Sequence, residues 1–167
     1  WEAAEKFLKE KSEAFVSKKI MGKKTDEIIM PGGHLTVAQL TAMLNTIPME
    51  ITFVDEDNIN RFFNEGPKDF KRPGMAIDRE VFSCHPPKVE QQGRHIIGEF
   101  RKGTLDKVPI WMEKNGKTML VTYMAVRDAA GTYLGTMELV QDMGFAKEHF
   151  LSDVKAKEAA LRAGMED

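Results

Sequence analysis

The chain has 167 residues, 42% of them hydrophobic and 30% charged, with 24 basic and 26 acidic side chains and a net charge of −2. That is enough apolar material for one domain with a buried core, and too much for a disordered chain. The near-neutral balance excludes a surface built to neutralise nucleic-acid phosphates, and no run approaches the ~20 apolar residues that span a bilayer.

Residues 1–24 carry the pattern of a charged helix. Trp1, Leu8 and Phe15 recur at sevens, as do Phe7, Ala14 and Met21, and the two lines merge into one apolar stripe. A helix this short cannot bury the stripe against itself, so its expected cover is a second copy in a homodimer or a domain upstream. The chain begins at Trp1, without a methionine or a signal-like apolar run, and reads as part of a longer protein. Pro31-Gly32-Gly33 is the strongest break and is expected to be a linker closing an N-terminal segment of residues 1–33. Thr36 then caps a helix through Gln39, three residues on, with Leu40, Met43, Leu44 and Ile47 on its apolar face and Pro48 ending it.

Residues 51–54 and 59–63 form two strands around the polar turn Asp55-Glu56-Asp57-Asn58. The glycines and prolines at 66, 67, 73, 74, 86 and 87 leave room only for single helical turns through residues 64–87. Residues 88–103 form a longer helix, opened by Pro86-Pro87 and closed by Gly103, with Val89, Ile96, Ile97 and Phe100 on one side. Three strands follow, at 108–112, 118–126 and 133–141, joined by Asn115-Gly116 and by Asp128-Ala129-Ala130-Gly131. Residues 145–163 form a closing helix with Phe150, Val154 and Leu161 on one side, within a C-terminal segment of residues 144–167. Tight turns make neighbouring strands antiparallel. The fold class is therefore α+β: a five-stranded antiparallel sheet, short helices over one face, and helices at both ends. Eleven methionines suit an adaptable pocket beneath that cover.

Three segments carry a family resemblance. Phe53-Val54-Asp55-Glu56-Asp57 through Phe63-Asn64 is similar to the first hairpin of the PAS sensor domain, with its Asp-rich turn and closing Asn. Residues Ile77 to Pro86 resemble the family's Gly-Arg and His-Pro segment, with Asp78 where glycine is usual. Val126-Arg127-Asp128 through Gly131, Gly135 and Gln141-Asp142 resembles the last hairpin and its Asp-Ile-Thr ending, with Met143 and Gly144 in place of the last two. The resemblance covers residues 36–143 and places a PAS domain at residues 34–143. Cys84-His85-Pro86-Pro87 is further similar to the branch found C-terminal to hemerythrin-like helical domains in bacterial proteins. It implies a sensory or regulatory module with a cavity between sheet and helices, holding haem, flavin, an organic ligand or nothing. Asp142 would couple the signal to the last helix.

The candidate site residues divide by what they could hold. His85 precedes Pro86, which holds it in extended geometry. Cys84 or His85 could ligate haem iron or a metal, or be a buried thiol and a loop imidazole that seat the next helix. His95 lies on the helix from which haem-binding PAS domains take their proximal histidine, but about 100° from Ile96, so it either ligates or points out to water. Flavin is disfavoured, because Val81 stands where photosensory relatives carry their reactive cysteine. The resemblance turns Met119, Val121, Tyr123 and Ala125 to the cavity, with Thr136, Glu138 and Val140 beside them. Trp111 and Met112 on the neighbouring strand could add an aromatic wall or be plain core. Filling the cavity at Val121 is expected to block binding. Glu138 must then meet a polar ligand group, an internal partner or water, since a buried carboxylate is costly alone. The opposite face, with Leu120, Met124, Met137 and Leu139, is too apolar to stay uncovered.

One cysteine cannot form an internal disulfide, which fits a reducing, cytoplasmic setting. There is no G-x-S-x-G elbow, phosphate loop, dinucleotide fingerprint or H-E-x-x-H. The sequence therefore points away from an enzyme and toward a sensory module with a small-molecule ligand. The rival is an interaction module of the same fold with a packed core.

Overall fold

The computed structural model describes residues 26–66, 69–70 and 76–163. The helix predicted over residues 1–24 lies outside them. The chain divides between Met43 and Leu44 into two compact units. In the first, strands β1 (Glu27–Met30) and β2 (Gly33–Thr36) pair antiparallel around Pro31-Gly32. The break expected to be a linker is thus the turn of a hairpin, because four residues on each side are enough to pair. Helix α1 (Val37–Thr46) follows. Its capping box forms as predicted: the Thr36 N–H donates to Gln39 Oε1 at 2.9 Å, and the Gln39 N–H to Thr36 Oγ1 at 3.1 Å.

The second unit is built on strands β3 (Glu50–Asp55), β4 (Asn60–Phe63), β5 (Lys107–Lys114), β6 (Lys117–Arg127) and β7 (Tyr133–Asp142). They form one antiparallel sheet in the order β4-β3-β7-β6-β5. The expected five-stranded α+β architecture is the one observed. Its turns explain themselves. Asn115 and Gly116 take φ of 51° and 74°, the paired left-handed geometry of a two-residue hairpin. Asp128 Oδ1 accepts from the N–H groups of Ala130 and Thr132 at 2.9 Å each and closes the β6–β7 turn. Gly135 must be glycine, since a Cβ there would overlap the Val54 carbonyl on the neighbouring strand.

Between β4 and β5 the chain crosses one face of the sheet. A 3-10 turn (Val81–Cys84) leads through His85 and Pro86 into helix α2 (Pro87–Lys102), which ends at Gly103 in the left-handed conformation. Ile96, Ile97 and Phe100 are the buried face of α2. Helix α3 (Gly144–Ala163) leaves the end of β7 with Phe150, Val154 and Leu161 exposed. Among the described residues no helix is long and apolar enough to cross a membrane.

Asn64, which the sequence marked as closing β4, is 2% exposed and fully used. Its Oδ1 accepts from the Ile51 N–H, and its Nδ2 donates to the carbonyls of Leu44 and Met49, all at 2.9 Å. One side chain thus ties the end of α1 to the start of β3. On the outer face of the sheet Ile51 and Thr122 are buried, and Leu120, Met124, Met137 and Leu139 are half-buried.

Candidate functional site

The inner face of the sheet is not uniform along its length. At one end Met119, Val121 and Val140 are buried in a cluster, packed by Phe70, Ile110, Met112 and Tyr123. Toward the other end the face becomes polar: Thr52, Thr136 and Glu138 alternate with Val54, and Asn60 stands opposite Val54 on β4. Helix α2 and the 3-10 turn do not close down on that end. They leave a cavity of about 550 Å³, within the ~300–1,000 Å³ range of small-molecule pockets.

The cavity has a buried floor and an open mouth. Thr52, Val54, Asn60 and Thr136 from the sheet, with Ile96 and Ile97 from α2, are its buried lining. Arg79, Ser83, His85, Val89 and Gln92 are exposed at its rim. Phe82, 6% exposed, forms one side wall. Its ring sits against Gly93, where a Cβ would come within 2.8 Å of Cε1, and the Arg94 guanidinium lies 4.3 Å from the ring centroid. Gly93 thus lets the 3-10 turn approach α2 closely.

Two oxygens on the floor residues stand out. Thr52 Oγ1 and Asn60 Oδ1 are buried and have no hydrogen-bond partner among the described residues. Leaving such a group unsatisfied costs about 1–3 kcal/mol. Thr136, by contrast, is engaged through Oγ1 with the Tyr133 hydroxyl at 2.7 Å.

The polar turn next to this end is tightly built. Asp55 Oδ1 accepts from the N–H groups of Asp57 and Ile59, and its Oδ2 accepts from Arg61 Nε at 2.5 Å. Burial pushes the Asp55 carboxyl up, but the Ile59 N–H, the Arg61 guanidinium and the Asp57 N–H outweigh it and hold its pKa below the ordinary 3.8. Arg61 also donates to Asp78 Oδ1 at 2.8 Å. Asp78 has φ of 61°. That accounts for glycine being usual there: the position is left-handed, and aspartate is among the few other residues that tolerate it. The loop then returns to β4, where the Asn60 N–H donates to the Arg79 carbonyl at 2.9 Å.

The residues singled out from sequence fall on both sides of this geometry. Tyr123 and Glu138 are register partners and line the cavity. His85 lies at the rim, its Nδ1 2.6 Å from the Val81 carbonyl oxygen, which holds the loop into α2. Cys84 ends the 3-10 turn by its backbone. Met119 and Val121 share the inner face but fill the packed cluster, at 1% and 3% exposure, and do not line the cavity. Trp111 is a correction: it lies on the outer side of β5, 60% exposed, and Ile110 is the β5 residue on the cavity wall. Of the two readings of His95 the structure takes the one that turns it to water and not the ligand one: it is exposed, while α2 turns Val89, Gln92, Gly93, Ile96 and Ile97 to the cavity.

At the far end of the inner face a charged chain reaches α3. Glu50 Oε1 accepts from the N–H groups of Asp69 and Phe70, and the Phe70 side chain lines the cavity. Lys117 Nζ bonds Asp69 Oδ1 at 2.8 Å and lies 3.5 Å from Asp142 Oδ2. Those carboxylates, Asp69 first, raise its pKa. Asp142 Oδ1 accepts from the Gly144 N–H at 2.9 Å, where α3 begins.

A PAS domain family model matches residues 40–144. The chain belongs to the PAS domain family. It is 38% identical to the C-terminal domain of a Streptococcus mutans protein, with a TM-score of 0.71 over 75% of this chain and 98% of that one. It is also similar to the PAS domain of a Colwellia psychrerythraea protein, at 15% identity and a TM-score of 0.47 over 65% of this chain and 97% of that one. A sensory box sensor histidine kinase from Vibrio cholerae matches at 13% identity and a TM-score of 0.44, over 62% of this chain and 88% of that one. No curated protein matches the chain.

Within this PAS domain the residues present do not fit a haem held from α2, because that helix turns no imidazole to the cavity. Among the described residues no group of three or more His, Cys, Asp and Glu side chains could hold a metal ion.

Proposed function

We propose that this PAS domain is a sensory module that takes a small molecule into the cavity between α2 and the sheet and passes the signal to α3. The observation that carries the reading is the cavity itself: about 550 Å³, bounded by a floor with two unpartnered buried oxygens, in a face whose other half is fully packed. A non-catalytic role is part of this reading, in which the cavity serves recognition. Asp142 and Lys117 would carry the relay. Phe70 is on the cavity wall, its neighbour Asp69 shares Lys117 with Asp142, and Asp142 caps α3.

The same reading extends to the setting. The Streptococcus mutans relative is named as a C-terminal domain, which supports a sensory segment behind an upstream domain, for which a hemerythrin-like helical domain is our candidate, in a cytoplasmic bacterial protein. Phe150, Val154 and Leu161 form one exposed stripe on α3, which supports a homodimer through the flanking helices.

The test is mass spectrometry of small molecules released from the purified chain, beside a Val89→Trp variant that blocks the exposed mouth and an Ile110→Trp variant that fills the interior. The reading expects a stoichiometric small molecule in the unaltered chain and its loss from both variants. A folded protein that takes up nothing, in cell extract or from a compound library, makes the interaction-only module the better account.

A further inference from the structure

Resting on that reading of the cavity, we infer that its ligand is an amphipathic monoanion: a carboxylate held at the mouth by Arg79, with an apolar body inside against Val54, Ile96, Ile97 and Ile110. The interior has little to offer a polar ligand group. Thr136 Oγ1 is taken by the Tyr133 hydroxyl, and Tyr123 and Glu138 are engaged within the protein. The Thr52 and Asn60 oxygens are themselves buried, out of a ligand's reach. Branched aliphatic side chains therefore set the chemistry inside, and they suit a compact hydrocarbon or aromatic body.

The mouth differs. Ser83 Oγ donates to the Glu80 carbonyl at 2.7 Å, and His85 Nδ1 lies 2.6 Å from the Val81 carbonyl oxygen, so both serve the loop. Arg79 and Gln92 are exposed at the rim, and neither side chain has a hydrogen-bond or ion-pair partner among the described residues. The carboxylates on either side of Arg79 are committed elsewhere. Asp78 pairs with Arg61 at 2.8 Å, and Glu80 pairs with Arg94 at 3.6 Å and accepts from the Phe82 N–H at 3.1 Å. Gln92 can donate or accept and serves any polar group, whereas the guanidinium of Arg79 only donates and is always charged. Arg79 thus decides the class: an acceptor carrying one negative charge. Carried inward, the same charge would approach Glu138 with no buried cation among the described lining residues, so it stays at the mouth.

Three probes with one bicyclic body separate head from body: 2-naphthoate, its uncharged isostere 2-naphthamide, and 2-naphthol. Each is titrated by calorimetry at neutral pH into the full chain and into the Arg79→Gln variant, and also into Val89→Trp and Ile110→Trp, which obstruct the mouth and the interior. Naphthoate is expected to bind tighter than the amide by about three- to ten-fold, between the worth of an exposed ion pair and that of a buried charge-assisted hydrogen bond. Added salt should shrink that preference. Arg79→Gln should abolish it while leaving the amide and naphthol unchanged, and the two tryptophan variants should lose all three probes. An amide that binds as well as naphthoate, or an Arg79→Gln variant that keeps the preference or weakens all three probes alike, overturns the anion assignment and leaves the ligand cavity standing. Failure of all three probes to bind the unaltered chain, or their undiminished binding to both tryptophan variants, counts against the cavity reading itself and takes the inference with it.

Discussion

The two ends of the sheet's inner face are built from the same strands and solved differently. Around Met119, Val121 and Val140 the face is apolar, buried and packed by Phe70, Ile110 and Met112. Around Thr52, Asn60 and Thr136 it is polar, just as buried, and faced by a cavity. The first end is held by contact. The second adjoins a hydrogen-bonded turn, Asp55 to Arg61 and Arg61 to Asp78, which is tied by backbone bonds to the floor residue Asn60. A domain can thus keep an internal opening where polar brackets replace packing, and concentrate its stability elsewhere.

The contrast can be broken most forcefully at the packed end. Met119→Ala is expected to destabilise the fold by about 2–5 kcal/mol, as large-to-small substitutions in closed cores do, read as a lower urea midpoint. At the bracketed end, Asp55→Asn weakens the charge-assisted bonds to Arg61 and to the two N–H groups of the turn, and about 1–3 kcal/mol is expected at neutral pH. That loss should depend on pH in a defined direction. The folded pKa of Asp55 lies below 3.8, so its ionised form stabilises the fold above that value, and the contribution disappears as pH falls through the folded value. The stabilities of the unaltered chain and Asp55→Asn should therefore converge in acid below pH 3.8. A constant difference down to the acid limit would remove the bracket as its source.

On the floor the sign reverses. Thr52→Val removes an unpartnered buried hydroxyl at nearly constant volume, and the ligand-free protein is expected to gain about 1 kcal/mol, seen as a higher thermal midpoint. A loss there would mean that the hydroxyl is satisfied after all. The smallest effect is expected at Lys117, whose ion pairs are exposed and contribute little to stability. Lys117→Ala should leave the unfolding midpoint nearly unchanged while raising amide exchange at the start of α3 and around Asp69. Unchanged exchange at both places would sever the proposed relay.

The frame was legible in the sequence wherever a local rule decides a local geometry. Thr36 with Gln39, Asn115-Gly116, Pro87 and Gly103 each fixed an element end, because caps and two-residue turns depend on the few residues that make them. The Pro31-Gly32 turn was misread because the same punctuation marks a linker and a hairpin, and only strand pairing tells them apart. The family resemblance turned Met119, Val121, Tyr123 and Glu138 to the cavity together, but a resemblance cannot tell which end of one face is packed: Tyr123 and Glu138 line the cavity, and Met119 and Val121 fill the cluster. It follows that Ile110, not Val121, is the position at which to fill the opening. Trp111 was offered as an aromatic wall of the cavity, although Ile110 beside it carries the inward register. Thr52 and Asn60 escaped notice, since a threonine and an asparagine on short strands look like ordinary half-exposed residues until both are found buried and unpartnered.

The measurement that bears most directly on the divided face is methyl NMR of the full chain, labelled at isoleucine and methionine and titrated with 2-naphthol. The account predicts that the δ1 methyls of Ile96, Ile97 and Ile110 shift while the Met119 ε methyl, in the packed cluster, stays fixed. A Met119 shift as large as theirs, or isoleucine methyls that do not move, would contradict it.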